Sequence, residues 1–279
     1  MSTPPVVRAR IRGADLHAMA SVYLANRECL ASPGSLDSPS QLAARWMTQA
    51  ACGYALGMPL SYVREEGRNA LLAYRVVQRR RPSREELTSP TRVLRDAPLG
   101  SLPRVRRVVR VDGSTGAGYV ALRYLYWALL LRESQLAHDI AADVWDPGPP
   151  YEPDFQLNLV AHALRDVLTG AEDVALDRLT RLRRTATKHE HQQAAAISAV
   201  ARGAGREAAR AVHELAAWHR RAKVNESIAA EKALCRCASG LGALALDRNL
   251  VSADDLPVDA DTFATALVLD PPADTSSAR

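Results

Sequence analysis

The stretch from Glu207 to Pro257 constrains this chain most: EAARAVHELAAWHRRAKVNESIAAEKALCRCASGLGALALDRNLVSADDLP. Two amphipathic helical patterns run back to back in it. The first ends in a basic turn, His219-Arg220-Arg221. The second is almost wholly apolar from Cys237 to Leu246 and stops at an Asp-rich segment ending in Pro257. Helices with such wide apolar faces must bury them against one another. The spacing therefore predicts a packed helical hairpin inside a helical domain.

Composition agrees. The chain has 279 residues, enough to bury a sizeable core, and is 47% hydrophobic with 24% charged residues. Aromatics make up only 5%, so the core must be built from Leu, Ala and Val. Leu and Ala are strong helix formers. The whole of 1–279 is read as a single all-α domain of packed helical hairpins, with about eight to ten helices. Helical periods are expected over 15–30, 41–57, 62–78, 119–142, 153–168, 173–187 and 190–201, ahead of the hairpin. The run from Tyr124 to Leu131 is apolar nearly all round and predicts a central buried helix. No fixed period of about 34 residues marks a regular tetratricopeptide array.

The stretch 79–118 breaks the pattern. It is rich in Pro, Gly, Ser and Arg and has no helical period. Arg92-Val93-Leu94 and Val105–Val111 are candidate strands of a small β-hairpin around the Pro98–Pro103 turn. The segment is read as an irregular basic connection. The tail 252–279 carries six acids and is expected to be acidic and partly frayed.

Net charge is +5 with a pI near 9.2. The basic excess is arginine, because the only lysines are Lys188, Lys223 and Lys232. Arg79, Arg80, Arg81, Arg104, Arg106 and Arg107 form the centre of the basic region, opposed only by Glu85, Glu86 and Asp96. Nucleic-acid binding is the obvious use of such a stretch. Aromatic stacking groups and a groove-reading helix are missing from it, so a solvated loop or a protein-docking surface is the preferred reading. Arg220 and Arg221 are further candidates for contact with an acidic partner.

Chemistry-bearing motifs are few. Gly113-Ser114-Thr115-Gly116-Ala117-Gly118 lacks the Lys-Ser/Thr pair of a phosphate loop and the spacing of a dinucleotide fingerprint. It is read as a flexible, cap-containing entry to the helix expected from Tyr119. His189, His191, Cys235 and Cys237 would make four zinc ligands on paper, but one-residue spacings suit a tetrahedral site poorly. On a helix, residues i and i+2 also point to different faces. Cys235 and Cys237 are thus read as core thiols. Trp218 is expected in the core, with His219 favoured by the helix terminus. Glu152 and Asp154 flank Pro153 and read as a turn and cap. No paired acids, serine–histidine–acid set or nucleophilic cysteine stands out, so no enzymatic activity, metal or cofactor is expected. Four scattered cysteines suit a reducing cytosol. No apolar core of signal-peptide length and no run of roughly 18 apolar residues is present. A cytoplasmic location is expected.

Two segments resemble the immunity protein 49 family of bacterial polymorphic-toxin systems. One is Gly118–Pro147, GYVALRYLYWALLLRESQLAHDIAADVWDP, whose apolar run closes on Arg132-Glu133 and continues past Leu136. The other is His219–Pro257, a basic helix end, an apolar Ala/Leu helix and a polar turn closing on Leu256-Pro257. The resemblance implies an all-helical cytosolic protein that binds a cognate toxin and neutralises it by stoichiometric occlusion, with no catalytic residues. The chain departs from it in the Arg-rich middle and in its basic balance, which argues against inhibition by nucleic-acid mimicry. The alternative is a helical nucleic-acid-associated or regulatory protein using 79–110. The toxin and the oligomeric state are not legible in the sequence.

Overall fold

The computed structural model describes residues 13–31, 38–79, 115–144, 156–182, 186–221, 233–258 and 261–270. Among these there are eleven α-helices, one 3-10 turn and no strand. The fold is all-α, as expected. The β-hairpin expected within 79–118 lies outside the described residues.

Three N-terminal helices form one layer: α1 (Gly13–Ala31), α2 (Pro39–Ala55) and α3 (Leu60–Arg79). The start of α2 is fixed locally. Ser38 caps it and exchanges bonds with Gln41 in a capping box, and Pro39 occupies the first turn, where its missing N–H costs nothing. α2 and α3 pack as an antiparallel pair, and α1 lies on α2.

Helix α4 (Thr115–Leu130) is the hub. Leu125, Trp127, Ala128, Leu130 and Leu131 are all at most 1% exposed, as its apolar run predicts. It touches α3, α5 (Ser134–Ala142), α6 (Gln156–Leu168) and α10 (Arg236–Asp247). Tyr74 of α3 stacks on Tyr124 of α4, with ring centroids 3.9 Å apart and planes at 7°. A Cβ at Gly240 of α10 would lie 2.7 Å from the Tyr126 carbonyl oxygen, so the glycine is what lets the two backbones meet.

The helix expected to run from 119 to 142 is broken. At Arg132 the chain turns left-handed, with φ +60°. The Arg132 N–H donates to Leu129 O and the Glu133 N–H to Ala128 O, closing a Schellman end. Helix α2 ends the same way on Gly57, with φ +76°. Arginine is tolerated in the strained position because its side chain is engaged. Its guanidinium donates to Val268 O at 3.0 Å and pairs with Asp247.

Two more pairs complete the domain. Helix α7 (Glu172–Thr180) folds back on α6, and α8 (Lys188–Ala201) on α9 (Gly205–Arg221). The helix expected over 173–187 is two elements' worth of chain: α7 stops at Thr180, and Thr187 instead caps α8 through a capping box with Glu190. Asp166, buried in α6, accepts from Arg165 Nε at 2.8 Å and Arg178 Nε at 2.9 Å, tying α6 to α7. Arg248, just after α10, reaches Glu172 and Val167 O.

The described part of the expected acidic tail is docked. It comprises the 3-10 turn Ala253–Asp255 and α11 (Thr265–Leu269), with Phe263, Ala264, Leu267 and Val268 buried. Arg64 donates to Leu131 O, Leu267 O and Asp270 O. Two arginines thus satisfy the carbonyls that a helix end leaves open. No described helix is long and apolar enough to cross a membrane.

Candidate functional site

The arginines singled out from sequence supply no described geometry. Arg79 closes α3, and Arg220 and Arg221 close α9. Their side chains, and all of Arg80, Arg81, Arg104, Arg106 and Arg107, lie outside the described residues.

The described core holds two polar sites instead. The more elaborate lies where α4, α8, α9 and the start of α10 converge. Cys235 and Cys237 are both buried, as expected of core thiols. Their Sγ atoms are nevertheless 3.5 Å apart, against the expectation that one-residue spacing sends them to different faces. The reason is local: Cys235 is the N-cap of α10, with φ −78° and ψ +84°, and stands outside the helix. Its N–H donates to Thr262 O at 2.7 Å, and its thiol points to Leu215 O at 3.7 Å. Cys237 occupies the second helical position, near the positive end of the helix.

Two imidazoles reach this pair. His189, at the start of α8, hydrogen-bonds Cys237 and stacks on Trp218 of α9, with ring centroids 4.2 Å apart and planes at 20°. His219 of α9 is buried beside it. His191, the other histidine considered from sequence, is exposed. Tyr126 of α4 donates to Gln193 Oε1 at 2.6 Å on the fourth side.

The environment splits the two thiols. The hydrogen bond from Cys235, together with His189 and His219, holds the Cys237 thiol well below its usual range despite burial. Burial and the neighbouring Cys237 push Cys235 well above it. Burial, then the charge of the thiol pair, raises the Tyr126 hydroxyl. The two thiols are thus driven apart, Cys237 downward and Cys235 upward. Among the described residues no group of three or more His, Cys, Asp or Glu is arranged to hold a metal ion. What the arrangement offers is two sulfurs 3.5 Å apart beside imidazole and phenol groups.

The second site lies in the α1–α3 layer. Glu66 of α3 is buried and accepts from Tyr23 Oη at 3.2 Å. Burial raises its carboxyl pKa, against hydrogen bonds from Gln49 and Tyr23. Cys52 of α2, also buried, is pushed up to about 12 by burial and by Glu66. A carboxylate in register with Val63, Gly67 and Ala70 on the core face was its sequence signal.

Elsewhere, His213 of α9 meets Asp255 O at 3.2 Å on the surface, and Trp218 is half-buried against His189.

No family model, curated protein or solved structure matches this chain.

Proposed function

We propose that the protein is an immunity protein that binds a cognate bacterial toxin and neutralises it by covering it, one to one, with a preformed helical surface. The observation that carries this reading is the outer face of α3. Tyr62, Leu72 and Val76 are 55%, 46% and 40% exposed, and helical spacing puts them within about a quarter-turn of one another. Arg68, also exposed, flanks them. Exposed aromatic and aliphatic groups beside an arginine match the composition of protein interfaces. The face rides on the most extensive helix pair of the N-terminal layer, so little ordering entropy is lost on docking.

The resemblance adds support. Its two segments include α4–α5 and α10, which pack directly on each other through Gly240. The shared pattern thus corresponds to the structural centre, leaving the periphery to vary with the toxin.

The test is to inspect the genes on either side for a toxin domain and to co-express the protein with the one found. Rescue of growth and a one-to-one complex are expected, and Leu72→Asp with Val76→Asp should abolish both while leaving the helical circular dichroism spectrum intact. Unimpaired rescue by that double variant would remove α3 as the surface. Micromolar, steeply salt-dependent DNA or RNA binding would overturn the reading in favour of a nucleic-acid function. Six phosphates neutralised by Arg79, Arg80, Arg81, Arg104, Arg106 and Arg107 imply a log–log salt slope of roughly −5.

A further inference from the structure

We propose that Cys237 is a peroxide-reactive cysteine that closes a reversible disulfide with Cys235, making the start of α10 a redox-modification site independent of the toxin reading. Four observations converge on it. The sulfurs are 3.5 Å apart, so about 1.5 Å of approach completes a bond of about 2.05 Å. Cys235 is the N-cap of the helix, with non-helical φ −78° and ψ +84°, which is what brings its sulfur to that of Cys237. His189 is hydrogen-bonded to Cys237 and held in place by its stack on Trp218. Cys237 is 7% exposed and Cys235 fully buried, which shields the pair from bulky oxidants and leaves only small uncharged ones as candidates.

The charged and titratable groups that act on the pair are Tyr126 from α4, His189 from α8, His219 from α9, and Arg236 between the two cysteines, and Thr262 O accepts from the Cys235 N–H. Both histidines favour negative charge on Cys237. Tyr126 could add negative charge, but burial keeps it a neutral phenol.

The chemistry balances. The Cys237 thiolate attacks one oxygen of hydrogen peroxide, the O–O bond breaks, and the departing hydroxide takes a proton from the His189 imidazolium. Cys237 is then a sulfenic acid and one water has formed. Cys235 gives its proton to the neutral imidazole, and its sulfur attacks the sulfenic sulfur. The S–O bond breaks, and the released hydroxide recovers that proton as a second water. Two thiols are oxidised to one disulfide, and the peroxide is reduced to water. A thiol reductant reverses the step.

The sequence provides a direct readout. Trypsin cuts after Arg236, between the cysteines, so an oxidised pair appears as Ala233–Arg236 linked to Cys237–Arg248, lighter by two hydrogens than the separate peptides. Full-length reduced protein is exposed to hydrogen peroxide, then unfolded, alkylated and digested. The linked peptide should appear before oxidation of the exposed Cys29 or the buried Cys52. Its rate should be nearly flat between pH 6 and 8, whereas an ordinary thiol gains about tenfold per pH unit below a pKa near 8.5. His189→Gln should slow it by about tenfold and restore the pH slope. In Cys235→Ser the linked peptide is lost and dimedone labels Cys237. Prior oxidation of Cys29, a tenfold rise per pH unit in the native protein, or a stoichiometric metal held by the two thiols after purification would each overturn the proposal. The native pH profile needs no variant, so a variant that fails to fold does not spoil the test.

Discussion

Cys52 and Cys237 belong to one hydrophobic core and are almost equally hidden from water, yet their thiols are driven in opposite directions. In the α1–α3 layer Cys52 has a carboxyl group, Glu66, for its charged neighbour, and burial acts on it unopposed. Between α8, α9 and α10, Cys237 has a thiol that donates to it and two imidazoles that attract its charge. Burial alone makes a cysteine inert; what faces it decides whether it reacts. The backbone shows a parallel contrast. Gly53 of α2 faces side chains that can yield, and Gly240 of α10 faces a carbonyl that cannot.

The largest expected effect removes what the two layers share. Trp127 is 1% exposed on α4, which touches both α3 and α10. Trp127→Ala should cost about 3–5 kcal/mol in urea unfolding, the usual range for a buried aromatic. A shift in midpoint too small to measure would mean that α4 does not bind the layers together.

The glycine contrast comes next. At Gly240 a methyl group would sit 2.7 Å from Tyr126 O, so α4 and α10 must separate. Gly240→Ala should destabilise by about 1–3 kcal/mol, as overpacking does. At Gly53 the nearest atoms, Glu66 Oε2 and a Tyr23 ring carbon, are 3.3 Å away. Adjusting those side chains is offset by the better helix propensity of alanine, about 1 kcal/mol, so Gly53→Ala should stay within about 1 kcal/mol of wild type. Equal losses at the two sites would erase the distinction between a backbone contact and a side-chain contact.

These two regions were not equally legible in the sequence. The buried α4 was readable because an apolar run from Tyr124 to Leu131 can be satisfied only in a core. Its end at Arg132 was not, because a left-handed residue is normally signalled by glycine, as at Gly57, and here distant partners at Val268 and Asp247 hold an arginine there. Cys235 and Cys237 were readable as core residues but not as a pair. Their meeting depends on Cys235 standing outside α10, and their polarisation depends on His189 and His219, brought in by two other helices. Local spacing contains neither fact. The apolar row on α3 was partly visible, since a helical period was expected over 62–78. That Leu72 and Val76 would remain uncovered is a property of the packed neighbours.

A smaller, pH-dependent effect sharpens the comparison at the Glu66 end. Burial raises the Glu66 carboxyl above its unfolded value, against Gln49, Tyr23 and Arg27, with Glu65 adding to the rise. The sign follows from linkage. The folded state holds a proton there that the unfolded chain has released, so this favourable contribution is complete below the unfolded pKa of about 4.3 and is lost as pH climbs through the raised folded value. Above it, a buried carboxylate must be kept charged. Glu66→Gln keeps an oxygen to accept from Tyr23 and has no charge to bury. The variant should therefore match wild type near pH 4 and gain on it by pH 8, read as the difference in urea midpoints at the two pH values. A difference that stays constant would mean that Glu66 does not titrate in the fold, and the rise of the Cys52 thiol would then rest on burial alone.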